Sequence, residues 1–144
     1  MKKLLVILLC FSSCTIIKTV SNSEDKQEFK MIAKKNNKVF ISSNDKSISQ
    51  KIVNYTKREI EEWGYWIVTS VEKEADFILE IDIIQIQAVS VIEISAKFIN
   101  KNNQKAFYSI KVEPWGSSLI FNTTKWSVEK IIHTRIKPFV ESIN

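Results

Sequence analysis

Two periodicities divide the chain. Through its middle, apolar residues recur at every second position, the spacing of half-buried strands; two other stretches repeat at the spacing of an amphipathic helix. Val39, Phe40 and Ile41, ended by Ser42, Ser43, Asn44 and Asp45, read as a first strand. Ser47 with Gln50 three positions later is a capping-box signature. Ile48, Ile52, Tyr55, Ile60 and Trp63 then follow at helical spacing, with Lys51, Lys57, Arg58, Glu61 and Glu62 on the other side. Gly64 stands where a helix C-cap calls for positive φ. Residues 65–70 read as a second strand, and the strand-helix-strand order predicts a parallel crossover.

A long third strand is predicted over residues 75–87. Phe77, Leu79, Ile81 and Ile83 alternate with Glu80 and Asp82, and the apolar phase then slips at Ile83 and Ile84, which predicts a β-bulge. Residues 89–99 form a fourth strand, with Ile92, Ile94, Ala96 and Phe98 inward and Glu93, Ser95 and Lys97 outward. Asn100, Lys101, Asn102 and Asn103 make a polar turn. In the fifth strand Ala106, Tyr108, Ile110 and Val112 are expected to face the core, and Pro114 and Gly116 stop it. A final helix from about Thr124 carries Val128, Ile132, Ile136, Phe139 and Ile143 on its apolar stripe, with Pro138 expected to bend or end it late. The order β-α-β-β-β-α predicts an α/β (α+β) two-layer sandwich. Its sheet is mixed and five-stranded, with two helices on one face.

The first residues follow a different logic. Met1, Lys2 and Lys3 form a short basic region, residues 4–11 an apolar run, and Ser12, Ser13 and Cys14 come next; this is the layout of an export signal. Phe11-Ser12-Ser13-Cys14 resembles a bacterial lipobox, with Phe11 where Leu is usual. The resemblance implies lipid transfer to the Cys14 thiol, cleavage before it, and acylation of the new amino group. Several acyl chains on one residue exceed the single chain that binds only marginally, so the anchor is expected to be stable. In the enterobacterial sorting convention an Asp after the lipidated Cys retains a lipoprotein in the inner membrane. Thr15 stands there instead, which resembles an outer-membrane lipoprotein. The expected organisation is therefore a signal over residues 1–13, a lipidated Cys and polar tether over 14–37, and one domain over 38–144. Within the tether, Phe29, Ile32 and Ala33 fall at the spacing of a short helix.

Composition narrows the classes. The 144 residues are 44% apolar with two Gly and two Pro, which excludes collagen-like and low-complexity chains. Removing the signal takes away Lys2 and Lys3, so the formal charge falls from +5 to +3, a weak footprint for nucleic acid; none is expected as a partner. Cys10 leaves with the signal, and Cys14 is alkylated, so the exported domain stands on its hydrophobic core without a disulfide.

The arrangement as a whole resembles a known type. A lipobox and tether lead into a strand and a helix ending at Gly64-Tyr65. Glu74-Ala75-Asp76-Phe77-Ile78-Leu79 then opens a long hairpin, and a terminal helix closes the domain. This resembles the TolB N-terminal-like domain, which recurs in penicillin-binding-protein activator lipoproteins and the curli-secretion lipoprotein. It also resembles the lipopolysaccharide-assembly lipoprotein type. The resemblance implies an envelope accessory role and carries no functional residue across.

Chemistry is sparse. The sequence has no phosphate loop, no paired Cys-x-x-Cys and no His-Glu-x-x-His, and neither a metal nor a cofactor beyond the lipid on Cys14 is expected. His133 is alone on the final helix, at the margin of its stripe. Glu80 and Asp82 share one strand face about 7 Å apart, as a solvated pair expected to meet Lys97 or Lys111. The aromatic residues carry more information, because exposed Trp, Tyr and Phe concentrate binding energy at protein interfaces. Trp115, Phe121 and Trp126 are the first candidates for a partner surface, and Phe40 and Phe107 the second, as a patch on the open sheet face if their strands are neighbours; the alternative is that these aromatics close one end of the core beneath a loop.

The function expected is that of a non-enzymatic lipoprotein of the cell envelope, held in the outer membrane by its lipid and binding an envelope protein. The alternatives are a lipid or glycan carrier, which needs a closed apolar cavity, and an envelope hydrolase, which needs convergent carboxylates in a cleft.

Overall fold

A computed structural model describes residues 23–45, 48–86, 91–112 and 123–143. Helix α1 (Ser23–Ile32) precedes β1 (Lys38–Ser42), α2 (Ser49–Trp63) and β2 (Ile67–Thr69). Three longer strands follow, β3 (Phe77–Ile86), β4 (Val91–Asn100) and β5 (Ala106–Val112), and then α3 (Thr123–Ile131) and α4 (Lys137–Ile143), joined by a π-helical turn over Ile132–Ile136. The sheet order is β2-β1-β3-β4-β5. β1 runs parallel to both of its neighbours, while β3, β4 and β5 are antiparallel. The mixed five-stranded sheet with two main helices packed on it is the α/β two-layer arrangement that the alternation predicts.

Strand alternation sets the core. Val39, Ile41, Phe77, Leu79, Ile81, Ile83, Ile94, Ala96 and Phe98 are all buried, and α2 brings Ile52 and Ile60 onto them. The terminal helix adds Val128, Ile131, Ile132, Ile136 and Val140. Gly64 closes α2 with φ of 65°, and its N–H donates to the Ile60 carbonyl at 3.0 Å, the left-handed cap expected of glycine there.

The start of α2 is built differently from the expected capping box. Ser47 lies outside the described residues, and Gln50 donates to Asn54 Oδ1 at 2.8 Å. Asp45 serves the helix instead. Its Oδ1 accepts from the Ile48 N–H at 2.9 Å, and its carbonyl from the Ser49 N–H at 3.1 Å. Pro138 neither ends nor splits the terminal helix. A proline ring collides with the carbonyl four residues back and offers no N–H; the π turn just before it, in which the Lys137 N–H bonds the Ile132 carbonyl, absorbs the misfit and lets the helix reach Ile143.

Three further expectations need correction. No bulge interrupts β3 at Ile83–Ile84: the β3–β4 register is continuous from Phe77↔Asn100 to Ile86↔Val91. The slip in apolar phase is one of composition, within an unbroken ladder. The bulge lies in β5, where Phe98 pairs with Tyr108 and Ile99 with Ala106, leaving Phe107 as the extra residue. That extra residue turns inward. Phe107 is buried with its ring centroid 6.4 Å from that of Phe29, and Ala106, expected in the core, is exposed.

The third correction concerns residues 23–37. Their polar composition predicts a tether, yet Phe29, Ile32 and Ala33 are buried in the main core. Phe29 meets the rings of Phe98 at 5.1 Å and Phe139 at 5.3 Å. Polar contacts hold α1 from Glu28 to its C-terminal end. Glu28 Oε1 accepts from the side-chain amides of Asn100 at 2.6 Å and Asn103 at 2.7 Å, and Lys105 approaches Oε2 at 3.4 Å. Hydrogen bonding from Asn103 leads the effects that hold the Glu28 carboxyl below its ordinary range. At the C-terminal end Asn37 Nδ2 donates to the carbonyls of Met31 and Ile32, each at 2.9 Å, and Trp66 Nε1 donates to that of Ala33 at 3.0 Å. Trp66 therefore belongs to the core beside Phe77, ahead of a β2 that begins only at Ile67.

Candidate functional site

The outward face of the sheet carries two of the sequence candidates for chemistry, and both have structural partners. Glu80 accepts from Lys97 Nζ at 2.7 Å across the β3–β4 ladder, the pairing expected from sequence. Asp82 is bound instead to the chain leaving β1: its Oδ1 accepts from Ser43 Oγ at 3.1 Å and the Asn44 N–H at 2.6 Å. The two carboxylates thus serve different structural ends. Phe40 is half-buried on the same face, in register with Ile78, which in turn faces Ile99 on β4. It shares no patch with Phe107. β3 and β4 separate their strands, and the bulge sends Phe107 to the opposite side.

Of the first-choice aromatics, Trp126 is 41% exposed on α3, with Lys130 Nζ 4.6 Å above its ring in a cation–π contact. Cys14, Trp115 and Phe121 lie outside the described residues.

A polar groove of about 450 Å³ lies between α2 and α3, lined by Arg58, Glu59, Glu62, Lys125, Glu129 and His133. Its organising group is Glu59, which is only 4% exposed. Arg58 Nη2 donates to Glu59 Oε1 at 3.0 Å, and His133 Nε2 lies 3.0 Å from Glu59 Oε2. Lys137 Nζ sits 3.3 Å from His133 Nδ1 and has only protons to give, so Nδ1 accepts and Nε2 carries the hydrogen donated to Glu59. Arg58 also reaches Glu62 at 3.7 Å and Glu129 at 3.5 Å, and Lys125 joins Glu129 at 3.5 Å. Burial works to raise the Glu59 carboxyl, but the hydrogen bonds of Arg58 and His133 and the charge of Arg58 outweigh it and hold it below its ordinary value of 4.5.

These groups are linked in a closed network that fastens α2 to the terminal helix. Neither Glu59 nor the His133–Glu59 pairing was singled out by sequence reasoning. The signal existed: Glu59 falls seven residues after Ile52, on the inward stripe, and His133 sits next to Ile132 on a second helix of the same layer. A carboxyl held low by its partners favours folding above its unfolded value and loses that contribution as pH falls through the folded one. Glu59→Gln is therefore expected to lower stability at neutral pH by about 1–3 kcal/mol, the usual worth of hydrogen bonds to a charged group. The variant should also show a shallower loss below about pH 4.5. Urea unfolding across that range measures both. An unchanged acid slope would mean that Glu59 contributes nothing to acid lability.

The geometry defines an α/β sandwich, a mixed five-stranded sheet with two main helices packed on it. No protein-family model and no characterised protein matches the chain by sequence. Among solved structures the fold is similar to that of a point variant of the PelC dodecamer from Paraburkholderia phytofirmans. The TM-score is 0.50 at 10% identity, over 69% of this chain and 87% of that one. It is also similar to lipoprotein GNA1162 from Neisseria meningitidis, with a TM-score of 0.46 at 13% identity, over 75% of this chain and 99% of that one. TolB from Acinetobacter baumannii matches with a TM-score of 0.46 at 12% identity, over 71% of this chain and 29% of TolB. These are likenesses of fold, and they assign no residue a role.

Proposed function

We propose that the chain is a non-enzymatic lipoprotein of the cell envelope, anchored to the outer membrane through lipid on Cys14, and that it serves as a binding or assembly accessory to an envelope protein. The observation that carries this reading is the run Phe11-Ser12-Ser13-Cys14 behind a basic and apolar leader. Eight residues separate Cys14 from Ser23, where the first described helix begins. The sandwich shared with PelC supports the reading at the level of fold. The charged groove fits an accessory better than a hydrolase, because its buried carboxylate is committed to Arg58 and His133.

Trp126 is the described aromatic that best fits a contact residue. A large ring, partly exposed and held in place by Lys130, offers apolar area at little cost in rotamer entropy. Crosslinking the lipidated protein in intact envelopes, with and without Trp126→Ala, tests the reading. The substitution is expected to reduce capture of a specific partner by more than about fivefold while leaving the melting temperature nearly unchanged. Loss of stability with capture intact would place Trp126 in a structural role. PelC is solved as a dodecamer, so a second copy of this chain belongs among the partners to look for in the crosslinked product.

A further inference from the structure

The segment from α1 to β1 has a surface of its own. Lys30, Lys34, Lys35 and Lys38 fall within nine residues, around Met31. Because Phe29, Ile32 and Ala33 point into the core, Lys30, Met31, Lys34 and Lys35 point out, and Met31 is 66% exposed. Asn37 joins this turn to the sheet edge. Its side chain caps the carbonyls of Met31 and Ile32, and its own carbonyl accepts from Ile67 N–H at 3.0 Å. Ile67 is itself 51% exposed, in register with Lys38 on the neighbouring strand. Glu74 pairs with Lys38 at 3.8 Å and Asp76 Oδ2 accepts from the Lys38 N–H at 2.7 Å, so two carboxylates stand against the four lysines and the surface keeps a net positive charge of about two.

Apolar tips ringed by lysine heads match the boundary between acyl chains and anionic headgroups, where the tips leave water and the ammonium groups meet phosphates. We propose that this surface docks on a lipid bilayer carrying anionic headgroups and holds the domain against the membrane that Cys14 anchors. The geometry rests on the lipid-anchor reading above. Only eight residues separate Cys14 from Ser23, and such a stretch spans at most about 30 Å, so α1 is confined to the neighbourhood of the bilayer. Two net positive charges near an anionic surface favour docking by about fivefold each, or roughly twenty-five-fold together.

Oxidation of Met31 reads the docking directly, because the chain has two methionines and Met1 leaves with the signal. The full chain purified from envelopes is reconstituted on vesicles of phosphatidylcholine, or of phosphatidylcholine with phosphatidylglycerol, and exposed to hydrogen peroxide. The chain is expected to sediment with both, and Met31 to oxidise severalfold more slowly on the anionic vesicles. High salt should abolish that protection, as should the combined substitution Lys30→Gln, Lys34→Gln and Lys35→Gln, whose exposed sites leave the fold intact. A chain that sediments with both vesicles but oxidises equally on each overturns the docking surface and leaves the anchor standing. Sedimentation with anionic vesicles alone supports the surface and refutes the anchor. Sedimentation with neither overturns both. Protection that appears only when envelope protein is added would assign the surface to a protein and overturn its docking on lipid.

Discussion

Replacing Phe29 with Ala is expected to destabilise the domain by about 3–5 kcal/mol, the range for removing a fully buried aromatic ring. Phe29 is 1% exposed and meets the rings of Phe98, Phe107 and Phe139, which come from β4, β5 and α4. One side chain of α1 therefore bridges the end of the sheet and the terminal helix. Its loss leaves a cavity at a junction of three elements, which has little freedom to collapse. Short helices draw most of their stability from packing, so α1 should fray together with the loss of Phe29. The caps that Asn37 and Trp66 provide to its last carbonyls would then be lost too. Urea unfolding gives the energy, and hydrogen exchange over residues 27–33 gives the fraying. A cost below about 1 kcal/mol with exchange unchanged would mean that α1 is an appendage, as the polar composition of this stretch predicts.

How well the fold reads from sequence depends on how local each signal is. α2 has its periodicity, its glycine cap and its charged outer side within sixteen residues, and the structure reproduces all three. The alternation in β4 is equally local, and Ile94, Ala96 and Phe98 face inward as it implies. Phe29 is different. Three apolar residues in a stretch rich in Lys, Asn and Glu read as weakly amphipathic, and only the distant rings of Phe98, Phe107 and Phe139 make them core. The inward turn of Phe107 likewise depends on which residue of β4 stands opposite, and pairing register is invisible in one strand alone.

The candidate site was legible in pieces. Trp126, a candidate for its place beside the loop before the last helix, is an exposed ring, whereas Phe107, a candidate for its outward phase in β5, lies in the core. Glu59 and His133 are 74 positions apart, and their hydrogen bond follows from the packing of α2 against the terminal helix. Charge inside an apolar stripe marks such a residue for attention; its partner emerges only from tertiary structure.

The largest functional effect is expected at Cys14. Under the proposal Cys10 lies in the signal that is removed, and the Cys14 thiol takes the lipid as a thioether at the new N-terminus. In the same proposal the short residues Ser12 and Ser13 would let a processing peptidase approach the bond before Cys14. Removing the thiol removes the acceptor for the first lipid, and processing that depends on this lipid should stop with it. Cys14→Ala leaves the described domain untouched, since the described elements begin at Ser23. The variant should therefore stay folded while losing its covalent lipid.

Metabolic labelling with palmitate, followed by fractionation of the envelope, tests the central claim most directly. The proposal predicts label on the native chain, a shift to the smaller processed form, and recovery with the outer membrane. For Cys14→Ala it predicts no label and an unprocessed precursor. A Cys14→Ala chain that carries palmitate and fractionates like the native one would contradict it.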